Sequence, residues 1–148
     1  MNQHGGETKM KKVTALLATA LLLAACGSSA EAEKTGHGET AKDKNGDYAT
    51  ADITVKGDEV VKITLDETKE GKSKKELKEE YNMKGASPIK KEWYEQVEFL
   101  ENYIKENGLD AVKLDEAGYP TGDDVKAGCT INLTNLMNAA KSAKEAAK

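Results

Sequence analysis

Apolar positions along this chain follow two periods, and each period predicts an element. Over "GDYATADITVKGDEVVKITLDE" (residues 46–67) they alternate, with Ala51, Ile53 and Val55 on one face and Val61, Ile63 and Leu65 on one face after "KGDE". Alternation on both sides of a Gly57-Asp58 pair, which tolerates the positive φ of a tight turn, predicts a β-hairpin.

Helical spacing takes over downstream. Ser73 and Glu76 form an S-x-x-E capping box, Leu77 and Tyr81 share a face, and Gly85 closes the segment. Ser87 then predicts a second helix with Pro88 in its first turn; Ile89, Trp93, Val97, Leu100 and Ile104 form its stripe and Gly108 its end. Residues 111–114 read as a short strand and 118–123 as a turn. Leu133, Leu136, Met137 and Ala140 share the apolar face of a last helix, with Asn132 placed to cap it. These elements predict an α+β domain: a small antiparallel sheet with a β-hairpin, packed against about three helices. Aliphatic and aromatic stripes of this kind are core, and the Lys and Glu around them a solvated face with pairs such as Glu101 and Lys105.

The first residues have a different pattern. Lys9, Lys11 and Lys12 precede "VTALLATALLLAA", a run too short for a stable span but suited to the apolar region of a secretory signal. It ends in "LAAC", which resembles the lipobox of bacterial lipoproteins, whose cysteine is diacylated and becomes the mature N-terminus. That resemblance implies a signal peptide over residues 1–25 and lipidation at Cys26, with two acyl chains for stable anchoring on the extracytoplasmic face of the cell membrane. Residues 26–45, rich in Gly, Ser, Thr, Glu and Lys, read as a flexible tether, which leaves 46–148 as the domain.

Composition narrows the chemistry. With Cys26 lipidated, Cys129 stands alone, so no intramolecular disulfide forms, and the two histidines lie in the leader and tether, away from any metal-ligand spacing. Losing three lysines and one glutamate with the leader takes the net charge from −4 to −6, and the chain has no arginine, which argues against nucleic acid as a partner. No nucleophile, histidine and acid come together in the domain sequence, so hydrolase chemistry has little support.

One stretch carries candidate chemistry: "DDVKAGCTINLT", residues 123–134. A helix starting just beyond Thr130 would offer unpaired N–H groups to an anion. Gly128 would admit a close ligand, Lys126 would offset charge, and the Thr130 hydroxyl is a nucleophile once a base takes its proton.

The stretch resembles the D-x-x-(S/T)-G-A-(T/S) signature of FMN-binding domains, which include the flavin-carrying subunits of ion-pumping quinone reductases and flavinylated extracellular electron-transfer lipoproteins. Asp124, Gly128 and Thr130 match; Ala127 stands where Ser or Thr is usual, and Cys129 replaces Ala. The order of hairpin, "SKKELKEEYNMKGASPIKKEWYEQ" passage and C-terminal helix extends the likeness over roughly residues 46–147. It implies FMN as cofactor, cofactor-binding positions at Thr130, Gly128, Asp124 and Cys129, and Thr130 as the phosphoester acceptor for a flavin transferase. Asp124 is open to two readings, assisting that transferase or capping a turn. The expected function is an electron carrier, not an enzyme with its own substrate, served by a membrane redox donor such as a quinol or dehydrogenase system. The competing reading is a flavin-free surface lipoprotein, a binding or antigenic module on the same fold.

Overall fold

The structure, a computed structural model, describes residues 31–148, so the expected signal peptide over residues 1–25 and the expected lipidation site Cys26 lie outside the described residues. Four strands, β1 (Glu33–Glu39), β2 (Ala49–Lys56), β3 (Glu59–Lys69) and β4 (Lys72–Ser73), form one antiparallel sheet in chain order. Helix α2 (Trp93–Asn107) packs on β3 and α4 (Thr134–Ala146) on β1 and β2, while one-turn helices α1 (Lys74–Leu77) and α3 (Asp123–Lys126) connect them. The fold is α+β, as the sequence patterns predict. Among the described residues, no helix is long and apolar enough to cross a membrane.

Alternation drives the hairpin. Ala49, Ala51, Ile53, Val55, Ile63 and Leu65 are buried on one face beneath the helices, and Asp52, Lys62 and Thr64 look to solvent. Gly57 takes φ +61° in the turn. The Val61 prediction is corrected: Ile53 pairs with Ile63 but Val55 with Val60, so a bulge inserts Val61. It resets the alternation, leaving Val60 3% exposed and Val61 37%.

The tether is also corrected, because Glu33–Glu39 is a paired strand and the folded unit begins before residue 46. Gly36 lies opposite Ile53 and Gly38 opposite Ala51, so both glycines face inward. A Cβ on Gly36 would meet the α4 backbone at Ala143 and, at 2.6 Å, the Ala147 nitrogen; one on Gly38 would meet Ala139 and, at 2.5 Å, the Ala143 nitrogen. The helix backbone lies against the strand. Composition hides β1 because the positions on that face that α4 covers, Gly36 and Gly38, bear no side chain, and the third, Lys34, is exposed.

The helix boundaries move for similarly local reasons. Ser73 does cap α1, its hydroxyl accepting from the Glu76 amide at 3.1 Å, but the helix ends after one turn and continues as a 3₁₀ turn, Lys78–Tyr81. Leu77 and Tyr81 are only half-buried, too little apolar contact to sustain a helix to Gly85. Helix α2 starts at Trp93, not at Ser87-Pro88, because Lys90 turns left-handed at φ +55° and Glu92 with Glu95 forms an acidic capping box. The expected stripe is buried from Trp93 to Ile104, while Ile89 stays half-exposed outside the helix. Glu101 does not serve Lys105; its Oε1 accepts from the Leu65 amide at 2.6 Å and from Lys75. The strand expected at 111–114 is a 3₁₀ turn, Leu109–Ala111, followed by a single bridge between Leu114 and Pro120. Helix α4 buries Leu136, Met137 and Ala140 beneath the sheet, with Leu133 also buried at its entry.

Candidate functional site

Thr130 does not sit at a helix terminus. Helix α4 starts at Thr134, where the amide donates to Asn132 Oδ1 at 3.0 Å, and the Thr130 amide donates to Gln96 Oε1 at 2.9 Å. The helix-dipole argument for an anion at Thr130 therefore does not apply. A buried amide side chain, not a helix end, organises this residue.

Gln96 is fully buried in α2. Its Oε1 also lies 3.3 Å from the Thr130 hydroxyl, and its Nε2 donates to Ser87 Oγ at 3.2 Å and to the Lys91 carbonyl at 3.1 Å. These bonds join the 130 loop, α2 and the 83–91 segment. They satisfy both ends of an amide that burial would otherwise penalise.

The other motif residues lie around Thr130 in different roles. The Phe99 ring occupies the space that a Gly128 side chain would need, so Gly128 admits a phenylalanine and not a ligand. Cys129 is buried, and burial pushes its thiol up to about 11. It is expected to resist iodoacetamide at pH 8 and to react once urea is added; rapid alkylation of the native protein would contradict that burial. Because the shift lies above the ordinary 9.0, its share of stability is complete below that value and is lost as pH rises toward 11. A Cys129→Ala variant should flatten that part of the alkaline stability curve.

Asp124 is exposed on α3. Its Oδ2 accepts from the Tyr103 hydroxyl at 2.7 Å and its Oδ1 from the Val125 amide at 2.9 Å, and these bonds, the tyrosine's first, hold its carboxyl below the usual range. Lys126 pairs with Asp123 at 3.5 Å on the surface. Neither borders the depression that Thr130 lines.

That depression is a cleft of ≈ 550 Å³, walled by Trp93 and Gln96 of α2, by Tyr81 and Met83 before it, and by Thr130 and Ile131 opposite. Tyr119, 46% exposed, stands at the rim with Asn132 and Asn135. The aromatic wall is ordered: Tyr81 meets Trp93 edge-on, with centroids 6.4 Å apart. Lys74 Nζ lies 5.2 Å from both ring centroids and 2.5 Å from Glu67 Oε2. Burial opposes the lysine charge, but Glu67 and Tyr81 together outweigh it and hold the ammonium above the ordinary lysine value. A smaller polar depression, lined by Asp43, Asp47 and Thr68, borders the same Glu67–Lys74 pair. Among the described residues, no three His, Cys, Asp or Glu side chains are grouped to hold a metal ion.

Sequence reading singled out Thr130 but missed Gln96, Lys74, Glu67 and Tyr81. One signal was present: Gln96, three residues after Trp93, is an amide on the buried stripe of α2. The ion pair gave none, since lysine and glutamate in so charged a chain read as surface.

No protein-family model matches the chain, and no curated protein does. A solution NMR structure of a Clostridium thermocellum protein, a structural-genomics target, is similar: TM-score 0.51 and 27% identity over 78% of this chain and 92% of that one. The likeness therefore spans almost the whole of that chain.

Proposed function

We propose that the chain is a membrane-anchored FMN-binding lipoprotein that carries electrons outside the cytoplasmic membrane, with Thr130 as the site of phosphoester attachment. The observation that carries this reading is the position of Thr130 on the wall of an aromatic cleft. Its ≈ 550 Å³ lies within the roughly 300–1,000 Å³ of small-molecule sites. The lining suits an isoalloxazine: Tyr81 and the exposed Tyr119 offer ring surface around the buried Trp93, Met83 offers apolar contact, and Lys74, paired with Glu67, a fixed ammonium beside the rings. A bound flavin would supply one- and two-electron chemistry, and the protein its position and electrostatics.

The motif residues then divide their roles. Thr130 accepts the phosphoester, Gly128 and Cys129 pack the loop behind it, and Asp124 stays ionised on the surface, accessible to a flavin transferase. Lipidation at Cys26 would hold the domain near its redox donor, a quinol or dehydrogenase system.

Coexpression with an active flavin transferase, followed by flavin fluorescence in denaturing gels, tests the assignment. Wild type, Thr130→Ser and Cys129→Ala should fluoresce, and Thr130→Ala should be dark yet folded. Fluorescence surviving in Thr130→Ala would exclude Thr130. A dark wild type would favour the flavin-free surface lipoprotein.

A further inference from the structure

We infer that Gln96 is the positioning residue for the Thr130 hydroxyl, an inference that rests on Thr130 being the flavin acceptor. Hydrogen-bond accounting fixes the orientation of the Gln96 amide. The Thr130 backbone N–H can only donate and the Lys91 carbonyl can only accept, so the oxygen must face Thr130 and the nitrogen Lys91. The contact at 3.3 Å between Thr130 Oγ1 and Gln96 Oε1 then has one polarity: the hydroxyl donates. One acceptor atom takes both hydrogens that Thr130 offers, which ties its backbone and its χ1 angle to the rigid helix α2. Both lone pairs of Oγ1 stay free of that bond.

Its consequence concerns the transfer step. The Thr130 Oγ1–phosphorus bond forms as the pyrophosphate P–O bond of a flavin adenine dinucleotide breaks; adenylate leaves, and the hydroxyl proton passes to a base. An amide oxygen is too weak a base to take it, so the transferase must supply that base. Gln96 contributes aim. Holding a nucleophile in one rotamer lowers the entropy lost on reaching the reactive geometry, and a misplacement of about 1 Å can cost on the order of 100-fold.

The test uses the full chain made without a transferase, then labelled with purified transferase and flavin adenine dinucleotide. Gln96→Met keeps the volume but removes the acceptor, and the labelling kcat should fall about 10- to 100-fold with KM little changed. Ile104→Val destabilises the same helix from its far end, away from the cleft and from Thr130, and its labelling should stay near wild type. Equal losses in both variants would mean that Gln96 acts only through stability, and wild-type labelling of Gln96→Met would likewise overturn the inference while sparing the Thr130 assignment. A wild type that takes no label would overturn both. Should Gln96→Met fail to fold, three-bond NMR couplings of Thr130 in the wild type still decide: a single χ1 rotamer is expected, and rotamer averaging would overturn the claim.

Discussion

Gly38→Ala is expected to destabilise the domain by at least ~3 kcal/mol, the upper part of the range for overpacking a tight interior and beyond it where neither side can yield. The new methyl group would enter the α4 backbone at the Ala139 carbonyl, with the Ala143 nitrogen at 2.5 Å and Ser142 Cβ at 3.0 Å. Two of these three atoms are main chain and cannot rotate away. Relief requires the helix to lift from β1, which would uncover Ala139, Ala140 and Ala143. Urea melts of Gly38→Ala beside Gly46→Ala give the comparison, because nothing lies within 4 Å of a Cβ at Gly46, whose cost comes from its φ of +82° alone. A Gly38→Ala midpoint equal to wild type would mean that the helix does not press on the strand.

Trp93→Ala should cost roughly 3–5 kcal/mol, the usual loss for deleting a large buried aromatic side chain. Trp93 is 2% exposed at the first turn of α2, edge-on to Tyr81 and under the Lys74 ammonium. Against a typical domain stability of about 5–15 kcal/mol, that loss is roughly a fifth or more of the whole. It would also open the cleft floor and leave the Lys74–Glu67 pair with one aromatic neighbour. An unchanged thermal midpoint would refute the burial. Trp93→Phe should recover much of the stability, since most of the apolar volume returns.

What the sequence revealed follows from what each element asks of its side chains. The hairpin was legible because β2 and β3 bury one face and wet the other, so alternation survives in the text. The α4 face was legible for the corresponding helical reason. Strand β1 was not: its helix-covered positions are Gly36 and Gly38, and a strand that buries backbone in place of side chains has no hydrophobic pattern. Helix α2 was found but started early, because Ser87-Pro88 carries a start signal that Lys90 at φ +55° overrides. Thr130 was singled out by its motif and lines the cleft, while the helix terminus expected beside it lies four residues further on. The cleft could not be read at all. It draws Lys74, Tyr81, Trp93, Tyr119 and Thr130 from separate segments, and no local pattern records that they meet.

The seam between β1 and α4 also bears on how the chain comes to be folded. Gly36 and Ala143 stand near opposite ends of the described residues, so their contact closes almost the entire domain into one loop, among the costliest closures in chain entropy that the fold contains. A chain emerging N-terminus first presents Glu33–Glu39 long before Thr134–Ala146 exists to cover it. Until that helix arrives, only the backbone ladder to β2 holds the strand, and the two glycines have no helix to pack against. Strand β1 thus gains its inner cover only once the last helix has been made.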